Sequence, residues 1–174
     1  MIKIEDMKMR KNKRGFTLVE LLVVIAIMSI LTVITVSQFQ SAKRKSRDVQ
    51  RKGDISAVSK ALMMYYTDYG YFPESSAGQV SGAAWGSSFE DADYVYLKVM
   101  PRENGSGPEF CYVTNGGTEP SMFGLFSTLE NEEDMDYNKL SGSDYGPFAG
   151  CDSGAVYHFA ILSPNANIAD FPTN

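Results

Sequence analysis

Lys13-Arg14-Gly15-Phe16-Thr17-Leu18-Val19-Glu20 leads directly into residues 21–42, a stretch of 22 residues without a charge. As an α-helix rising about 1.5 Å per residue, that stretch would cross a hydrocarbon core of about 30 Å. Residues 21–31 are nearly all Leu, Val, Ile and Met. The second part admits Thr32, Thr35, Ser37, Gln38 and Gln40, which suits an interfacial or packed end. A basic leader, a small residue and one carboxylate therefore meet at the start of a membrane-length helix. A lone carboxylate beside an apolar span costs about 2.5–3.5 kcal/mol at the bilayer centre and less toward the interface, so Glu20 marks function by default.

Beyond the span the helical pattern continues. Val49, Ile55, Val58, Leu62, Tyr65, Tyr66 and Tyr69 recur at helical steps, with Arg51, Lys52, Asp54 and Lys60 between them, and predict an apolar face. Gly53 weakens the helix by about 1 kcal/mol without ending it. Gly70 is a left-handed stop, and Pro73 forbids continuation. A helix over residues 16–69 would be about 80 Å long, so about half of it must be buried in membrane or in partners.

After Pro73 the texture turns to Gly, Ser and aromatics. Residues 75–88 read as loop, pinned by Trp85, and residues 94–99 as a short strand or a helical turn. Clearer strands are 109–114, 122–129 and 155–162, rich in aromatic and apolar residues and bounded by Gly, Pro or Asn. They suggest a small antiparallel sheet whose one face covers the helix stripe, an α+β fold.

The junction Gly15-Phe16-Thr17-Leu18-Val19-Glu20, basic residues before it and an uncharged helix after it, closely resembles the class III signal peptide of type IV pilins and type II secretion pseudopilins. The resemblance covers about the first third of the chain. It implies a prepilin peptidase that cuts after Gly15 and N-methylates Phe16, and a lollipop of long helix and small head. It also implies a partition into a cleaved leader (1–15), a transmembrane and assembly segment (16–42), an amphipathic basic segment (43–69) and an acidic β-rich head (70–174). Expected partners are the prepilin peptidase, the assembly platform, the inner membrane, and other copies or other pilins. The leader is expected in the cytoplasm and the head outside, first on the cytoplasmic membrane and then in a filament. One departure bears on filament type: a helix-weakening glycine and proline common in pilin anchors fall at Ser29 and Ser37, and neither is present.

Cutting after Gly15 would give Phe16 a free amine of ordinary pKa about 7.7–8.0, largely protonated near a carboxylate. That cation could pair with Glu20 within one subunit, four residues being one turn, or with Glu20 of a neighbour. A lone ion pair among apolar helices would fix their register, as a buried polar residue does in coiled coils.

The competing reading is an ordinary signal or anchor, with n-region 1–14, h-region 21–34 and a loose cleavage site at Thr35-Val36-Ser37. The protein would then be a monomeric envelope protein whose acidic head binds a ligand or cation. Glu20 would serve no purpose in a discarded signal.

Charge is unevenly distributed. The leader carries +4, Glu20 -1, residues 43–60 +5 and residues 61–174 -13, for a total of -5. In a polymer, basic necks could lie against the acidic heads of other subunits; alone, the neck is a solvated face touching headgroups. Positive-inside counting does not orient the span, because both flanks are similarly basic. The acidic head disfavours nucleic acid. Cys111 and Cys151 both fall in the exported part, and either a disulfide or two free buried thiols fits.

Asp134, Asp136 and Asn138 offer oxygen ligands at alternate positions, and some pseudopilins hold calcium in a C-terminal loop. Lys139 and Tyr145, however, stand where an EF-hand loop needs glycine and glutamate, which leaves a solvated acidic loop as the simpler reading. No catalytic set is visible, so a structural protein is expected and not an enzyme. His158, the sole histidine, falls inside a predicted strand as a core or edge imidazole.

Overall fold

A computed structural model describes residues 15–92, 94–103, 105, 107–139 and 144–173. The expected leader lies outside them apart from Gly15. The chain divides into two units, one ending at Ser41 and one beginning at Ala42, and helix α1 (Leu18–Tyr69) contributes to both.

In the first unit α1 is apolar on every side, and Leu21 to Phe39 present exposed Leu, Val, Ile, Met and Phe side chains. This part is long and apolar enough to cross a membrane. Three of its hydroxyls bond within the helix. Ser29, Thr32 and Thr35 donate to the carbonyls of Ile25, Met28 and Leu31 at 2.7, 2.7 and 2.8 Å, which leaves them tolerable in hydrocarbon.

In the second unit α1 ends at Gly70, whose φ of 82° is left-handed and whose N–H bonds the Tyr66 carbonyl at 2.8 Å. The expected stripe needs correction at its start. Ile55, Val58, Ala61 and Leu62 are buried, but Val49 is 68% exposed, and Tyr66 and Tyr69 keep about 40% of their surface exposed. Asp48 and Arg51 take the buried positions instead. The sequence 48, 51, 55, 58, 62 steps by three and four residues, so it is one continuous helix face whose first part is charged.

The principal sheet is antiparallel, with β6 (Phe123–Ser127) between β5 (Cys111–Thr114) and β7 (Phe159–Leu162). These strands are shorter than the sequence suggests, because residues 109–110, 122, 128–129 and 155–158 lie outside them. Alternate side chains separate into two cores. Tyr112, Phe123, Leu125 and Ile161 pack with α1, while Cys111, Val113, Phe126 and Leu162 pack under Tyr145, Phe148, Tyr157 and Phe171. Burial on both faces is why these strands read as continuous apolar runs instead of alternating ones. Gly124 is required here, since a Cβ would stand 2.6 Å from the Phe126 ring.

Two hairpins complete the fold. β1 (Ser75–Ser76) pairs with β2 (Gln79–Val80) inside the segment read as loop, and β3 (Phe89–Asp91) pairs with β4 (Tyr94–Leu97), so residues 94–97 are strand. Trp85 is buried and meets the Phe110 ring edge-on at 5.6 Å. A short 3-10 turn, Ile168–Asp170, precedes Phe171.

Candidate functional site

Gly15 and Phe16 precede the helix as exposed, irregular backbone, and nothing lies within 4 Å of a Cβ built on Gly15. A peptidase needs such access to a scissile bond. Thr17 then caps α1. Its hydroxyl oxygen accepts the Glu20 N–H at 3.2 Å, and Glu20 Oε2 accepts the Thr17 N–H at 2.9 Å and the Thr17 hydroxyl at 2.8 Å. This is a capping box, which satisfies helix-end donors and holds the carboxylate at the first turn. Its signal in the sequence is Thr-x-x-Glu before an apolar run, so Glu20 is a capping residue as well as a charge awaiting a partner.

The basic neck is sorted into two groups. Lys43, Arg44 and Lys45 are exposed and enter no ion pair among the described residues. Arg47, Arg51 and Lys52 instead hold acidic residues of the same molecule, so three of the seven basic residues in 43–60 are not part of a solvated face. Arg51 is 4% exposed. It donates to Asp48 Oδ1 at 2.8 Å, to both Glu103 oxygens at 2.8 Å in a two-pronged contact, and its Nη2 lies 2.9 Å from Glu130 Oε1.

Asp48 in turn accepts the N–H groups of Glu130 and Asn131 at 2.9–3.1 Å. Glu103 also accepts the Gly105 N–H at 2.8 Å. Buried charges are tolerable only with such saturation of lone pairs and donors. Arg47 binds Glu130 through two nitrogens, Nε at 2.8 Å. Hydrogen bonds from Arg47, and behind it Arg51, hold the Glu130 carboxyl down at about 2 from an ordinary 4.5.

The three candidate calcium ligands are not grouped. Asp134 and Asp136 converge on the Lys52 ammonium, Asp136 at 2.9 Å, and Lys52 also lies 5.5 Å from the Phe159 ring centre. Asn138 donates its amide to Asp144 at 2.7 Å. Among the described residues no group of three or more His, Cys, Asp or Glu side chains is placed to hold a metal ion. His158 stacks on Tyr137 at 4.5 Å, and its Nδ1 accepts the Leu129 N–H at 3.3 Å, a structural part. Cys111 and Cys151 form a disulfide with Cα atoms 5.7 Å apart, tying β5 to the loop before β7.

The family description "Prokaryotic N-terminal methylation motif" matches residues 10–36. The chain is 38% identical over 69 residues to the type II secretion system core protein G of Pseudomonas aeruginosa, covering 40% of this chain and 49% of that protein. It is 32% identical to the core protein G of Klebsiella michiganensis over 102 residues, 56% of this chain and 72% of that protein. The type IV wide pilus major component PilA4 of Thermus thermophilus is 31% identical over 71 residues, 41% of this chain and 54% of that protein. No solved structure matches the chain significantly.

Proposed function

The chain belongs to the type IV pilin and pseudopilin family, and on that premise we propose that it is a structural subunit of a pilus or pseudopilus, polymerised through its N-terminal helix. The observation that carries this is the first unit itself. It is a helix whose apolar Leu, Val, Ile, Met and Phe side chains stand exposed, entered through an exposed Gly15-Phe16 peptide and one carboxylate. Membrane and then neighbouring copies are the two environments that can cover such a surface.

On this reading a prepilin peptidase cuts after Gly15 and methylates Phe16. The leader lies in the cytoplasm, the head lies outside, and the assembly platform draws the helix into the filament. The new Phe16 amine supplies the charge that Glu20 lacks. Calcium at Asp134 and Asp136 would first have to displace Lys52, so the proposal includes no cation.

Mass spectrometry of the mature N-terminus tests processing: N-methylated Phe16 is expected, and an intact Met1 would refute it. The role of Glu20 is tested by Glu20→Gln, whose amide oxygen can still accept from Thr17 and keep the cap. Cleaved subunit should accumulate in the membrane while sheared filament falls by roughly tenfold or more. Wild-type filament yield from that variant, with cleavage intact, would show that the charge does not recruit the subunit.

A further inference from the structure

At the far end of α1 a cavity of about 340 Å³ is walled by Tyr65, Tyr69, Tyr71 and Phe89 and edged by Glu90 and Asp91. We propose that this pocket receives the ammonium group of Lys43 or Lys45 of a second copy of this chain; the proposal rests on the filament reading and names one of its contacts.

The rings cluster around Tyr65. The Tyr65 centroid lies 4.5 Å from that of Tyr69, 5.7 Å from Phe89 and 6.1 Å, edge to face, from Tyr71. Clustered aromatic faces present negative electrostatic potential to an ammonium or guanidinium. The rim adds formal charge. Glu90 and Asp91 are exposed, Asp68 and Glu74 are exposed nearby in the chain, and none of the four enters an ion pair among the described residues. Asp91 accepts the Tyr69 hydroxyl and Asp68 accepts the Tyr96 hydroxyl at 2.8 Å, which fixes both carboxylates beside the rings without neutralising them.

The occupant follows from what the rest of the molecule leaves unmatched. Arg47, Arg51 and Lys52 are already held by Asp48, Glu103, Glu130, Asp134 and Asp136. Of the exposed cations outside any ion pair among the described residues, which also include Lys60 and Lys98, Lys43, Arg44 and Lys45 form the one contiguous cluster. They cannot reach the pocket of their own molecule. Arg44 and Tyr65 sit on one continuous helix, 21 residues apart, which at about 1.5 Å per residue is about 30 Å. A pocket for a cation and a cluster of free cations, on one chain but too far apart to meet, are complementary between copies.

Carbodiimide coupling of sheared filaments of the full chain, which joins an amine to a touching carboxylate, tests this by peptide mass spectrometry. Lys52 coupled to Asp134 or Asp136 is the internal control. The expected product joins Lys43 or Lys45 to Glu90 or Asp91, and finding the control without it overturns the proposal. In a second arm, Glu90→Lys with Asp91→Lys should lower filament yield by roughly tenfold. Adding Lys43→Glu with Lys45→Glu should restore it, with Trp85 fluorescence confirming a folded head in each variant. Normal yield from the acidic-site variant overturns the contact while leaving the filament reading intact. A requirement for the three cations but not for the two acids would assign them to anionic lipid and also overturn it. Absence of any filament from the unmodified chain would instead remove the filament reading, and this contact with it.

Discussion

The two parts of helix α1 solve opposite problems. Residues 21–39 are apolar on all sides and exposed, whereas residues 47–52 carry charges, several of them buried against acidic loops of the same molecule. By composition alone the first part should be a core and the second a surface. The difference is where each finds partners. Exposed apolar side chains require another medium, either lipid or like helices, whereas the charged turns are satisfied within the head and leave little for a neighbour to do. Assembly chemistry is thus concentrated at the start of the helix and at whatever charge remains unmatched.

The strongest way to break this comparison is Arg51→Ala. Asp48, 1% exposed, and the Glu103 side chain, 5% exposed, would keep their charge without a counterion. Breaking a buried pair by removing one partner costs about 3–5 kcal/mol. Urea denaturation of detergent-solubilised full-length protein, followed by the single Trp85, should show that loss. A change under about 0.5 kcal/mol would mean that the neck is solvated after all.

That network also marks where sequence reading stopped. The span, the end of the helix at Gly70 and the three principal strands were legible, because uncharged runs, left-handed glycine and apolar segments are local signals. Asp48 and Arg51 were not, since a search for an apolar stripe selects Val49 and passes over charged residues at the correct spacing. Their partners Glu103 and Glu130 stand 52 and 83 residues away from the arginines they meet, and no local pattern carries that pairing. Likewise Thr17 and Glu20 form a cap that was readable as Thr-x-x-Glu, while the aromatic pocket depends on the β3–β4 hairpin folding back beside the last turns of α1.

A smaller effect sharpens the comparison through pH. Glu130 has its folded pKa lowered to about 2 from 4.5, so it binds fewer protons folded than unfolded in that interval. Its contribution is complete above about 4.5 and is lost as pH falls toward about 2. Glu130→Gln should cost about 1 kcal/mol at neutral pH, an ionic hydrogen bond discounted because the side chain is 27% exposed to screening water. The variant's stability should also fall less steeply between those pH values. Parallel pH profiles for the two proteins would show that the Arg47 and Arg51 contacts do not hold the carboxylate ionised.

The smallest effect has the opposite sign. Gly53 sits between the Arg51–Lys52 pair and the apolar turns, exposed, with nothing within 4 Å of an added Cβ. A glycine inside a helix costs about 0.5–1 kcal/mol relative to alanine, because the unfolded chain gives up more freedom. Gly53→Ala should therefore stabilise the head by that amount in the Trp85 assay and leave filament yield unchanged, since the site touches neither the span nor the aromatic pocket. If the head gains stability but filaments fail, α1 must bend at Gly53 on assembly, and the charged turns and the apolar turns beyond them move separately. If the head loses stability, Gly53 is not helical in solution, and the continuous face through 48, 51, 55, 58 and 62 does not exist there. Gain with normal filaments leaves one rigid helix from neck to pocket, the condition under which the exposed cations can be matched only by another copy.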